Sequence, residues 1–338
     1  SLEIAYMIYD SETGRFSEKN VITNDEYMDT GESFYIDRVN NKLCCYYVKR
    51  DIKTAENEQD LVDVGATYST IACRKVDLAT LKWEDEILLD IQHDNIVDPL
   101  IIDFNLANSE FDGKQYVWMT YTIDEDENLN TTDDREVYLV LENVTDSLTY
   151  YPIKVTNNYV SDIKPKLTNF NGSIYLSWVS DSKILKFVNI SDILENMKNN
   201  NIFELYMEDK SENWYKKSAE DLGLSKEEYE NTICEKLADN NIAEFGKDFS
   251  TEEYIDRSIG NYQIYNDHNK NLYVFWTESG SVETGDGNDK ANVTELYGAT
   301  YVNAGDELGS ESYDGWSDAV KITDFGQNID EFSLTFDE

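Results

Sequence analysis

The feature that most constrains this chain is a short stretch that keeps coming back. It is cleanest at Asn171-Gly172-Ser173-Ile174-Tyr175-Leu176-Ser177-Trp178, where a tight turn runs straight into an apolar, aromatic-rich strand. Versions occur at Gly113-Lys114-Gln115-Tyr116-Val117-Trp118 and Lys270-Asn271-Leu272-Tyr273-Val274-Phe275-Trp276, with a looser one at Asn41-Lys42-Leu43-Cys44-Cys45-Tyr46-Tyr47. Aromatic and β-branched residues behind Gly/Asn turns read as strands. A strand that recurs along a chain points to a repeat architecture.

More strands flank each copy. Downstream come Thr70–Val76, then Trp83 and Leu88-Leu89-Asp90; Val137–Leu141, then Tyr150 and Val155-Thr156; and Glu295–Tyr301, then Gly315-Trp316 and Lys321-Ile322-Thr323. The chain opens on the same pattern, with Glu3–Tyr9, Phe16 and Val21-Ile22-Thr23. Each is a third strand followed by an outer fourth. Upstream lies a first strand that opens with an acid: Glu32, Asp98, Asp162, Asp256 and Asp330, at steps of 66, 64, 94 and 74 residues. The fold class expected is all-β, a β-propeller of four-stranded antiparallel blades occupying 1–338 as a single domain. Four units are complete. A fifth is split or partial, so either the two ends share a blade or the chain is a slice of a longer propeller.

The 94-residue step predicts a helical insertion near 191–250. Ser191–Met197 reads as a capped helical turn. Ser225-Lys226-Glu227-Glu228 is a capping-box pattern, followed by Tyr229, Ile233 and Leu237 on one face. Such an insertion is either a decoration on a blade edge or a lid beside a binding face.

A net charge of −41, from 69 acidic against 28 basic residues, sets the partners. That field repels phosphate backbones and anionic lipid, so neither nucleic acid nor membrane insertion is expected. It favours cations, basic partners and neutral ligands such as sugars. No apolar run approaches the ~20 residues of a membrane span. With Ser1 rather than Met at its start, the segment is expected to be a mature piece of a larger chain. Cys44, Cys45, Cys73 and Cys234 form no C-x-x-C pair, which excludes the common zinc frameworks. Cys73 could bridge Cys44 or Cys45, or all could be buried free thiols.

Catalytic constellations are thin, and no catalytic residue is assigned. The two histidines, His93 and His268, sit in polar connections without a G-x-S-x-G elbow. Calcium is the one cofactor with plausible ligands, in Asp286-Gly287-Asn288-Asp289 and in Asp124-Glu125-Asp126. In the first loop the ligands would be Asp286, Asn288 and Asp289; in the second, Asp124 and Asp126. The opening acids Glu32, Asp98, Asp162, Asp256 and Asp330 are the candidate binding positions. They act either as turn devices that accept backbone N–H groups or as a ring of carboxylates at a channel mouth, with Asp37 and Asp103 further along their strands. The aromatics Tyr116, Trp118, Tyr175, Trp178, Tyr273 and Trp276 are expected in the core. Tyr150-Tyr151 and Tyr313 are better placed for a binding face.

The blade pattern resembles β-propeller repeats of large secreted or surface proteins of Gram-positive bacteria. The likeness is greatest at Gly315–Thr323 and Asp330-Glu331-Phe332-Ser333. It implies an extracellular or cell-surface module, part of a larger chain, that recognises a carbohydrate or a protein, and it transfers no catalytic residue. The functional expectation is a non-catalytic binding or spacer module. The alternative is a propeller-type glycoside hydrolase working through channel carboxylates.

Overall fold

The computed structural model describes residues 2–50, 69–191, 243–245, 255–302 and 315–333, except 90, 92, 94–95, 97–98, 112, 127–129, 146–147, 150–151, 268–270, 284–289, 324–328 and 330–331. Every element among them is a strand. In chain order these are β1 (Ala5–Tyr6), β2 (Tyr9–Asp10), β3 (Arg15–Phe16), β4 (Asn20–Val21), β5 (Met28–Asp37), β6 (Lys42–Arg50), β7 (Ser69–Asp77), β8 (Ile87–Leu88), β9 (Leu100–Phe111), β10 (Lys114–Asp124) and β11 (Arg135–Asn143). They continue with β12 (Leu148–Thr149), β13 (Ile153–Lys154), β14 (Asp162–Phe170), β15 (Ser173–Ser180), β16 (Ile184–Asn189), β17 (Ala243–Phe245), β18 (Ile255–Asn266), β19 (Asn271–Glu283), β20 (Lys290–Val302), β21 (Gly315–Trp316) and β22 (Val320–Lys321).

Four antiparallel sheets follow the expected units. Their orders are β5-β6-β7-β8, β9-β10-β11-β12 with β13 also on β11, β14-β15-β16-β17, and β18-β19-β20-β21 with β22 also on β20. Along each order, neighbours in the sheet are also neighbours in sequence. At the β14–β15 turn both Asn171 (φ 52) and Gly172 (φ 82) are left-handed. That twist matches the strands it joins, and Asn and Gly adopt it at least cost. In two sheets the outer strand is two short pieces, β12 with β13 and β21 with β22. The first unit is represented only by the pairs β1–β4 and β2–β3.

Most of the predicted helical insertion lies outside the described residues. Where residues are described the expectation is corrected: 243–245 form β17, whose Ala243, Glu244 and Phe245 pair with Phe187, Lys186 and Leu185. This segment supplies the outer strand of the third sheet and so meets the same need for a ladder partner as in the other sheets.

Two compact units divide the described chain, the first running to Leu167 and the second from Thr168 onward. In the first, β6 is buried on both faces. Cys44, Tyr46 and Val48 join Val117, Met119, Tyr121 and Ile123 of β10 in one core. Cys45 and Tyr47 join Ile4, Ile22 and Ala72 in another. A strand covered on both sides reads as a continuous apolar run, which is how Leu43–Val48 reads. In the second unit Tyr175 stacks on Phe187 at 5.2 Å, and Trp316 meets Phe187 edge-on at 4.8 Å. The expected core aromatics Tyr116, Trp118, Tyr175, Trp178 and Trp276 are all buried, while Tyr273 is half-buried.

The three described cysteines are free thiols. Register explains part of this: Cys44 and Cys73 share one face of the sheet and Cys45 lies on the other. Burial pushes the Cys45 thiol up to about 12 and raises Cys44 and Cys73 as well. Since the thiolate is the reactive form, none of the three is expected to react with a disulfide reagent such as Ellman's in the native protein. All should react once it is unfolded. Release of more than one thiol per native chain, the one that Cys234 can supply, would contradict the burial.

Candidate functional site

Four of the repeats carry the same polar corner, where the outer strand meets the third. An aliphatic residue of the third strand accepts the N–H of an aliphatic on the outer strand. The four copies are Ile22 to Ile4 (2.7 Å), Leu89 to Ile71 (2.9 Å), Val155 to Val137 (2.8 Å) and Ile322 to Leu296 (2.7 Å). In three copies the next residue is a threonine whose hydroxyl accepts the third strand's N–H: Thr23 from Ile4 (3.0 Å), Thr156 from Val137 (2.9 Å) and Thr323 from Leu296 (2.9 Å). In those same copies a glutamate precedes the third-strand aliphatic: Glu3, Glu136 and Glu295. Thr323 donates to Glu295 at 2.7 Å.

Beyond the threonine, two copies add further polar groups at equal spacing. Glu136 Oε1 accepts the Asn158 N–H at 2.8 Å, and the Asn158 amide donates to Asp162 Oδ2 at 2.8 Å. Asn158 thus ties two carboxylates together. Asp162 is fully buried and Glu136 is 2% exposed. Burial pushes Glu136 up to about 7, against the opposing pull of the Thr156 hydroxyl and the Asn158 N–H. In the other copy Glu3 Oε1 accepts the Asp25 N–H at 3.3 Å. Here Asp25 stands where Asn158 does, and Asp29 where Asp162 does. Burial pushes Asp29 up to about 6.

The opening acids fare unevenly against this frame. Asp162 opens β14 as predicted, and its Oδ2 accepts the Asn158 amide. Glu32 does not open a strand. It is exposed, inside β5, at the register shift between Thr30 and Ser33, where Gly31 takes φ 65. A bulge places an extra residue out of the ladder, and Asp29 occupies the position that Glu32 was expected to fill. Asp256 is the second residue of β18. Asp98 and Asp330 lie outside the described residues. Asp37 caps its hairpin by accepting the N–H groups of Val39 (3.1 Å) and Asn40 (3.0 Å), and Asp103 accepts that of Lys164 (2.9 Å). These acids serve turns and sheet contacts.

Of the predicted calcium ligands, Asp286, Asn288 and Asp289 lie outside the described residues. Asp124 and Asp126 do come together, with Asp134 as a third member. Asp124 is buried against Arg135, whose Nε donates to it at 3.1 Å. Asp134 accepts the Asp126 N–H at 2.6 Å, and Asp126 accepts from Thr131 at 2.9 Å. Internal bonds thus serve each member of this loop cluster, although Asp134 Oδ1 is buried without a partner. Asp134 was legible from register alone, since Asp124 pairs with Arg135 across the hairpin.

His93 lies in the connection between β8 and β9, as expected. Its Nε2 meets the Tyr121 hydroxyl at 2.8 Å, and its ring sits edge-on to Tyr121 and Tyr138. His268, Tyr150-Tyr151 and Tyr313 lie outside the described residues. Among the described residues, Tyr9 and Phe16 form a solvent-facing aromatic pair on the β2–β3 hairpin, 5.1 Å apart and 56% and 65% exposed. Both were read only as strand markers in the sequence.

No family model matches the chain, and no curated protein does. Among solved structures it is similar to MPT-4, a mannose phosphorylase from Leishmania mexicana, at 10% identity and a TM-score of 0.38 over 88% of this chain and 69% of that one. It is similar to an endo-arabinase from Bacteroides thetaiotaomicron at 10% identity and 0.39, over 88% and 81%. It is also similar to the NanB sialidase of Streptococcus pneumoniae at 8% and 0.41, over 87% of this chain and about half (51%) of the sialidase.

Proposed function

We propose that the chain is a non-catalytic binding or spacer module in which the four-stranded sheets are the blades of a β-propeller. Its ligand is a carbohydrate or a protein, and it is displayed outside the cell as part of a larger surface protein. The observation that carries this is the repeated corner. Glu3 and Glu136 stand at equivalent places and accept an N–H from equivalent residues. A catalytic acid and base need unequal roles, and these two carboxylates make the same bond. The likeness to a mannose phosphorylase and an endo-arabinase supplies a ligand class to test rather than an argument for it. Tyr9 and Phe16 are the proposed sugar platform, because exposed rings stack on the apolar faces of pyranoses and the acidic field does not oppose a neutral ligand.

One observation favours a second reading, glycoside hydrolysis. Glu136 is held near 7 by burial, the range of a working general acid, and Asp162 is its neighbour. Retention on immobilised neutral polysaccharides separates the two readings. The wild type should be retained, the Tyr9→Ala/Phe16→Ala double variant should elute unretarded, and no reducing sugar should be released. Retention unchanged in the double variant removes the platform. Sugar release that vanishes in Glu136→Gln transfers the function to the second reading.

A further inference from the structure

We infer that Glu3, Asp25 and Asp29 form a binding site for a hard divalent cation of calcium's size. The case rests on comparing two equivalent corners. Where Asn158 stands, an amide N–H reaches Asp162 and the two flanking carboxylates are bridged. Where Asp25 stands, that donor is replaced by a third carboxylate. Glu3 Oε2 and its counterpart Glu136 Oε2 are both buried without a hydrogen-bond partner, so the difference lies at Asp29, which is only 4% exposed and has a partner at neither oxygen, whereas Asp162 accepts the Asn158 amide. A buried carboxylate without a donor is costly, and the fold keeps this one beside two others.

The geometry fits a cation. One carboxylate oxygen from each of the three residues lies within 4.8 Å of the others. Calcium takes oxygen ligands at about 2.3–2.6 Å, so oxygens on opposite sides of the ion stand about 4.6–5.2 Å apart. Three oxygens remain to bind, Glu3 Oε2 and both of Asp29, with Asp25 at the solvent side, its side chain 33% exposed. Asp25 Oδ1 is already engaged by the Tyr27 N–H at 2.8 Å.

Lys49 is the competing cation. Its ammonium pairs with Asp25 and, at 2.9 Å, with Glu86, and it lies 4.6 Å from the centre of the Tyr27 ring. It therefore answers Asp25 and Glu86. The Thr23 hydroxyl and the Lys49 charge ease Asp29, but neither reaches hydrogen-bond geometry. Four carboxylates against one ammonium leave room for a divalent ion.

The test is calorimetric titration of calcium into the chelator-stripped 338-residue chain, with Asp29→Asn, Asp25→Asn and Asp126→Asn in parallel. The wild type should bind an ion whose affinity falls about a hundredfold or more in Asp29→Asn and Asp25→Asn, and Asp126→Asn should leave it intact. Circular dichroism of each variant without calcium separates loss of the site from loss of the fold. If Asp29→Asn does not fold, terbium luminescence sensitised by Tyr27 in the wild type, quenched on changing Tyr27 to Leu, carries the test instead. Calcium heat absent from the wild type up to millimolar ion, or equal in wild type and Asp29→Asn, overturns the inference. So does an affinity lost only in Asp126→Asn.

Discussion

Replacing Trp118 by alanine is expected to cost about 3–5 kcal/mol of stability, the range for removing a buried aromatic from a core that relaxes only partly. Trp118 lies mid-strand in β10, 1% exposed, opposite Ala107 on one side and Leu141 on the other. Small Ala107 is its partner on β9 and leaves room for the indole. The indole N–H also donates to Ser109 Oγ at 2.9 Å, so truncation strands a buried hydroxyl. Urea titration followed by circular dichroism should show the midpoint falling sharply, with Tyr159→Ala, at a residue 94% exposed, close to wild type. A Trp118→Ala midpoint within error of that control would mean that β10 is not central to the first unit.

The second large effect is a pH dependence. Glu136 has its folded pKa raised from 4.5 to about 7 by burial. Its protonated form is therefore the one the fold favours. The Glu136 contribution to stability is fully present below about 4.5, drains away as the pH rises, and is gone above about 7. At one pKa unit per ~1.4 kcal/mol, the loss is at most on the order of 3 kcal/mol. Glu136→Gln cannot ionise and keeps an acceptor for the Asn158 N–H. The stability gap between variant and wild type should therefore widen in the variant's favour from pH 5 to pH 8. Parallel pH profiles for the two proteins would show that Glu136 titrates as an ordinary carboxylate.

The strands were legible because their apolar content is unmistakable. Leu43–Val48, Tyr116–Tyr121 and Ile174–Val179 are each buried nearly throughout, so no polar alternation had to be phased correctly. The acids were harder. Glu32 looked like a strand opener because it precedes Phe34-Tyr35-Ile36, but a bulge at Gly31–Glu32 shifts the register, and β5 begins at Met28. Bulges leave little trace in a hydrophobic pattern. The polar corner lies in residues distant in sequence: Glu3 and Asp29 are 26 apart, as are Glu136 and Asp162. That equal spacing was the available signal. Only the hydrogen bonds reveal that Thr23, Thr156 and Thr323 hold the frame, and only the exchange of Asn158 for Asp25 makes one corner chemically unlike the other.

The outer strand broken into β12 and β13, or β21 and β22, bears on crowding. A sheet edge is adhesive in proportion to the unbroken row of N–H and C=O groups it offers. Here each outer piece is two residues long, too short for a second chain to zip along. The −41 charge adds repulsion between copies at any distance within the screening length. Copies of the chain held side by side at high local concentration would find little ladder to pair with along these outer edges.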